Sequence, residues 1–311
     1  MIATAPSSPQ TSTLKTSVGF AAYPDLRRAA FEAADIARAG LGGSQCRLAL
    51  LITAGLTGSD PIPGLKSLLG PAGIAGGATT ALMTDRGIVR EGALVIALAT
   101  EGDAASGAVA VPGRDAADAG GRAARIVLAG WPFRLRYPRG LGFVFARGNS
   151  PLAFLDTWRE FMGPKMRTVC GIMPGAPYGS GSDTPTASVA CLEASYATGL
   201  GYAEGFVGEE HPDARLIHGA AEATNTALKR LDERSARLVV VFESVARAAT
   251  LGPAAAEEWH RIVAEAGDVP CVGWLCDAVA GYGRGIQPAD DPRALIVAAV
   301  GDSPLTPPTA A

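Results

Sequence analysis

The sequence predicts an α/β protein whose mixed sheets are built from repeated (α)βαββ units, three of them around a pseudo-axis. Three observations lead there. Near-continuous apolar runs at 48–52, 238–242 and 295–300 lack the alternation of half-exposed strands, as expected of central strands covered on both faces. The order apolar strand, helix, short glycine-bearing strand, apolar strand recurs. Its markers, Gly76, Gly171 and Gly273, lie about a hundred residues apart, far above the ~20–50-residue period of solenoids. The Gly-rich connectors 84–92 and 281–292 suit hairpins, which would make the sheets mixed.

Each unit is led by a helix. In the first, Asp25 opens a helix over 25–39 with apolar positions at helical spacing. Strand 47–53, a helix near 62–69, the glycine strand 72–78 and the closing strand 92–99 follow. The second unit has a helix within 115–128 broken by Gly120 and Gly121, strand 141–146, a helix near 152–162 and strand 167–172, with no closing strand evident. The third runs as helix 220–231, strand 237–242, a helix near 254–266, strand 269–275 and closing strand 293–300. The expected divisions are a disordered segment 1–16, units 17–135, 136–219 and 220–302, and a Pro-rich disordered tail 303–311.

Composition narrows the function. Hydrophobic residues at 48% and charged residues at 18% exclude general disorder. A net charge of −3 leaves no basic footprint, which argues against nucleic acid as a partner. No apolar run reaches the ~18 residues of a membrane helix, and residues 1–12 lack the charged and apolar regions of a signal peptide. The expectation is a cytoplasmic protein. Cys46, Cys170, Cys191, Cys271 and Cys276 form no CxxC pair and read as reduced, buried thiols.

Several segments together resemble a known family. The stretch Ser17-Val-Gly-Phe20, the Ala-rich helix, strand 48–52 and the small-residue turn 70–80 resemble the N-terminal half of the FIST (F-box and intracellular signal transduction) sensory domain. Residues 237–300 are similar to its C-terminal half, through Ser244-Val-Ala-Arg247, Glu257 and Glu258 on a helix, Pro270-Cys-Val-Gly-Trp274 and the Gly-rich 281–285. The resemblance is one of pattern over most of 17–301, and weakest over 131–215. It implies a bacterial module that binds a small molecule such as an amino acid and signals through a separate output protein, with haem-based gas sensing in some members. Where the family tends to carry Gly-Glu, this chain has Ala278-Val279.

The candidate ligand site follows from the glycine strands and what adjoins them. Gly76 and Gly77, with Thr79 and Thr80, offer backbone N–H and hydroxyl donors to an anion, or else form a tight turn. Gly171 and Gly273 occupy corresponding places, beside Cys170 and Trp274. Arg247, after Ser244 at a strand end, can clamp a carboxylate or simply cap a sheet edge. Tyr178 lies in a Gly/Pro/Ser-rich stretch, 174–185, that reads as a lid or a connector, and Tyr282 and Trp274 would supply apolar walls. No cofactor is expected. If haem is present, His260 and His218 are the axial candidates, and the spacing of His211, His218 and His260 suits no zinc site. No residue is assigned a catalytic role.

One enzymatic alternative stays open. A threefold repeat of mixed α/β units is similar to the cyanuric acid and barbiturate ring-opening amidohydrolases, which place Ser–Lys pairs from three repeats around one axis. Lys66 and Lys165 fall on or after corresponding helices, but the third unit offers His260 and Arg261 instead, and that family's Ser-Ser-Gly motif is absent.

Overall fold

The computed structural model describes residues 14–100, 104–111, 115–131, 140–148, 150–179, 185–193, 197–205, 212–231, 235–284, 286 and 291–302. The expected N-terminal segment, up to residue 13, and the tail 303–311 lie outside them, as do His211, residues 180–184 of the stretch around Tyr178, and 285 and 287–290 of the last connector.

The first unit runs β1 (Lys15–Ala21), α1 (Leu26–Gly40), β2 (Leu48–Ala54), α2 (Ile62–Leu69), β3 (Gly73–Thr79), β4 (Leu82–Thr84), β5 (Gly87–Val89) and β6 (Gly92–Ala99). The second runs β7 (Ala104–Val109), α3 (Ala116–Gly130), β8 (Gly140–Ala146), α4 (Pro151–Met162), β9 (Met166–Ile172), β10 (Pro177–Gly179) and β11 (Ala187–Glu193). The third runs β12 (Ala197–Ala203), α5 (Pro212–Lys229), β13 (Ala236–Ser244), α6 (Val245–Leu251), a 3₁₀ turn, α7 (Ala255–Ala266), β14 (Cys271–Cys276), β15 (Ala278–Tyr282) and β16 (Leu295–Gly301).

These units are topological copies. Their sheets are ordered β1-β6-β2-β3, β7-β11-β8-β9 and β12-β16-β13-β14. In each, the last two strands are parallel, joined by a helical crossover, and the other pairs are antiparallel. Each sheet then accepts short strands from a neighbour. The hairpin β4–β5 pairs with β14, β10 pairs with β3, and β15 pairs with β9. This exchange runs one way around the ring and links all three sheets, so the fold is the mixed α/β architecture expected, with a threefold pseudo-repeat.

Helix starts follow from caps. Asp25 accepts from Arg28 N–H at 2.8 Å, Asp115 from Ala117 and Asp118 N–H at 2.9 and 3.0 Å, and Ser150 from Ala153 N–H at 3.2 Å. Each supplies an acceptor to a first-turn donor that has no partner within the helix. The inner faces of the sheets share one apolar core, where Phe143, Phe145, Phe242 and Trp274 meet in ring contacts 4.5 to 6.2 Å apart. A separate outer core under the helices covers the other face of each sheet.

Three sequence expectations change. The second unit does have its closing strand, β11, whose residues Ala187 to Cys191 are mostly small and are buried by their neighbours. Gly120 and Gly121 do not break α3. A Cβ on Gly120 would sit 2.4 Å from the Phe154 carbonyl oxygen, so the glycine lets α4 approach. The sheets group the chain as 15–99, 104–193 and 197–301, which places β7 with α3 in the second unit and β12 in the third. The boundaries drawn from sequence fall later, the first after α3 and the second within α5, because these edge strands are poor in large apolar residues.

Candidate functional site

Where β3 ends, the chain crosses into the third unit. Thr79 Oγ1 donates to the Leu275 carbonyl at 2.5 Å, and Leu275 N–H donates to the Ala81 carbonyl at 3.2 Å, which starts the pairing of β4 with β14. The hairpin therefore stands beside α6, which begins directly at the end of β13, where Ser244 Oγ accepts from Arg247 N–H at 3.1 Å. Between hairpin and helix opens a cleft of about 560 Å³, lined by Thr80, Ile88 and Arg90 on one side and Val245, Ala248 and Ala249 on the other. Thr80 and Arg90 are exposed. Apolar walls with one guanidinium and one hydroxyl are the ingredients of a small-molecule site, and the volume is in the usual range of ~300–1,000 Å³.

Behind this wall lies a buried polar cluster. The Arg247 guanidinium donates from Nε and Nη2 to Glu258 Oε1 at 2.9 and 2.8 Å, from Nη1 to the carbonyls of Glu204 and Arg293 at 3.1 and 3.2 Å, and from Nη2 to the Leu216 carbonyl at 2.6 Å. All five N–H donors are engaged by protein. Glu243, at the end of β13, packs against Glu258. Burial pushes the Glu243 carboxyl well above the ordinary carboxylate range, and the Glu258 charge adds to this while Arg247 opposes it. Burial raises Glu258 as well, against the pull of Arg247.

A second groove, of about 510 Å³, opens in the seam between β1 and β14, with Val18, Phe20, Arg86, Cys271 and Val272 among its walls. Burial pushes the Cys271 thiol up to about 12. The corresponding seams are occupied. Ser106 of β7 lies under Gly73 of β3, and Arg167 of β9 donates from Nη1 to Thr198 Oγ1 of β12 at 3.2 Å.

The structure disperses the residues chosen from sequence. Of these, Thr80 lines the 560 Å³ cleft. Gly76 and Gly77 are buried within β3, not in an anion-binding loop, and a Cβ on Gly76 would meet the Leu51 carbonyl oxygen at 1.8 Å. Thr79 is tied to Leu275. Gly76 and Gly273 pair with Leu51 and Val241 on the helix side, and their counterpart in the second unit is Cys170, beside Val144. Gly171 pairs instead with Phe145 on the inner side and corresponds to Gly77 and Trp274. The marker glycines are thus out of step by one position, and no ring of three backbone approaches forms.

Cys170 and Trp274 are fully buried, and burial raises the Cys170 thiol. Ser244 is a helix cap, and Arg247 has no N–H left for a ligand. Tyr178 sits in β10, its hydroxyl 2.8 Å from Thr53 Oγ1, and Tyr282 lies in β15 beneath Arg159 at 4.2 Å. His260 is exposed on α7, and His218 is exposed on α5 beside Glu222 at 3.4 Å. Among the described residues no group of three or more His, Cys, Asp or Glu is placed to hold a metal ion, and no helix is long and apolar enough to cross a membrane.

Sequence reading missed Arg90, an exposed arginine in a connector that carries no signal by itself. It also missed Glu243, whose signal was present: a carboxylate closing the apolar run Val239-Val-Val-Phe242. Glu258 was noted only as part of the family pattern.

No family model matches the sequence, and no curated protein matches it. Among solved structures, a cyanuric acid hydrolase from A. caulinodans aligns over 93% of this chain and 100% of its own length, with a TM-score of 0.49 and 10% identity. A second cyanuric acid hydrolase structure aligns over the same shares, with a TM-score of 0.42 and 10% identity.

Proposed function

We propose that this protein binds a small molecule in the cleft between the β4–β5 hairpin and α6 without transforming it, and reports occupancy to a separate partner, in the manner implied by its resemblance to the FIST sensory domain. The carrying observation is the contrast between that cleft and the pseudo-axis. On the axis the side chains that meet are apolar and aromatic. Every lysine of the chain, Lys15, Lys66, Lys165 and Lys229, is exposed, so none is desolvated to activate a nucleophile there. The cleft has a guanidinium, a hydroxyl and apolar walls contributed by two units, and a ligand bridging hairpin and α6 would bias their separation.

Native mass spectrometry of the freshly purified chain against its denatured mass tests this reading. A retained small molecule, absent from an Ala248→Trp variant that fills the cleft, is the expected result. Retention by that variant places the ligand elsewhere.

The threefold ring with exchanged strands favours one second reading, the ring-opening amidohydrolase. Incubation with a cyclic imide and detection of the ring-opened product by mass decides it. Turnover would replace the sensory reading, and its loss in Lys165→Ala would assign the base.

A further inference from the structure

We propose that Glu243 and Glu258 form a site that holds one shared proton, and that loss of this proton loosens the α6–α7 segment that walls the cleft. Glu258 Oε1 already takes two guanidinium donors. Glu258 Oε2 and Glu243 Oε1 are both buried and receive no donor from the other described residues. The two side chains are nevertheless within hydrogen-bonding reach of each other. Ionised carboxylates only accept, so two of them can bond only through a proton held between them. Charge gives the same count. One guanidinium balances one carboxylate, and Glu258, in direct contact with Arg247, is the ionised partner, which leaves Glu243 as the acid.

Among the described residues, Arg247 is the cation that acts on the pair. From β14 the residue beside Glu243 is Leu275, and the Cys276 thiol, on the opposite face of the sheet against Met173, is kept neutral by burial. From α5 the approach is the Leu216 carbonyl, and from the 204 and 293 backbones two further carbonyls, all on Arg247. Beyond the guanidinium lie Glu204, the Asp291 carboxylate and the Tyr202 hydroxyl, the last two 3.2 Å apart. Without the proton, two buried negative charges face one guanidinium. Relief comes from α6 and α7, since β13 is fixed between β14 and β16.

The sign follows from linkage. Glu243 binds its proton more tightly folded than unfolded, so its stabilising contribution is complete below the ordinary carboxylate range and declines as pH rises toward its raised folded value. Urea unfolding from about pH 5 to 8, wild type against Glu243→Gln, reads this directly, because the amide donates without titrating. The expected result is a wild-type folding equilibrium constant that falls about tenfold more per pH unit than that of the variant. Parallel profiles would overturn the shared proton. Should Glu243→Gln fail to fold, infrared spectra of ¹³C-glutamate-labelled wild type decide instead. A protonated carboxyl C=O band at neutral pH is expected, and its absence overturns the site. Loosening is expected as hydrogen exchange over 245–266 that rises with pH beyond the intrinsic rate, and an unchanged protection factor overturns that half of the proposal.

Discussion

Removing the guanidinium of Arg247 would leave Glu258 as an uncompensated buried charge and take one donor from each of three backbone carbonyls. Breaking a buried pair this way costs about 3–5 kcal/mol, so Arg247→Ala should lower urea stability by that order, and a loss below about 1 kcal/mol would refute the structural role. Arg247→Lys is expected to be only partly tolerated, because three donors on a point charge cannot replace a planar fork. From sequence alone the expectation is the reverse, loss of ligand affinity with little loss of stability. A strand-end arginine looks the same whether it faces solvent or carbonyls. What separates the two is the approach of residues 204, 216 and 293, which local sequence does not encode. Phe242 is the apolar counterpart. It touches Phe143, Phe145 and Trp274 on the axis, with ring centroids 6.2, 6.0 and 4.5 Å away. Phe242→Ala should cost about 3–5 kcal/mol by thermal or urea unfolding.

Elements were legible where apolar runs or caps declared them. β2, β13 and β16 are near-continuous apolar runs, and α1 starts at Asp25. Two strands poor in large apolar residues, β11 and β12, were not. β11 and β12 derive their burial from the strands and helices pressed against them, and Gly201 of β12 shows how closely: a Cβ there would sit 1.8 Å from the Ala223 carbonyl oxygen of α5. Glycine in α3 works likewise, lowering helix propensity while permitting contact. Gly120→Val should therefore destabilise by about 1–3 kcal/mol despite its better propensity, as overpacking of a close helix pair does. Equal or higher stability in urea would mean that α3 and α4 can separate without cost.

At the scale of the molecule, the threefold ring was visible in the spacing of the glycine strands, while the candidate site was not, because hairpin and α6 come from the first and third units. Pseudo-symmetry also breaks where polar chemistry concentrates. The position of Glu243 is taken by Thr53 in the first unit and Ala146 in the second, as their pairing with β16, β6 and β11 shows. One shared core predicts one transition. Far-ultraviolet circular dichroism and the fluorescence of Trp131, Trp158, Trp259 and Trp274 should report the same denaturation midpoint, and separated midpoints would show units that fold independently. A chain ending at residue 196 should not reach a native state, since β4 would lose β14 and β9 would lose β15.

The one-way exchange of strands bears on how the protein is made. Synthesis delivers β4 and β5 early, yet the strand that receives them, β14, is among the last to emerge. A nascent chain must therefore carry an unpaired hairpin while two further units are translated, exposing the kind of edge that invites aggregation. Completion of the first sheet waits for the second unit, and the hairpin of the first waits for the third, so the ring closes only near the C-terminus of the chain.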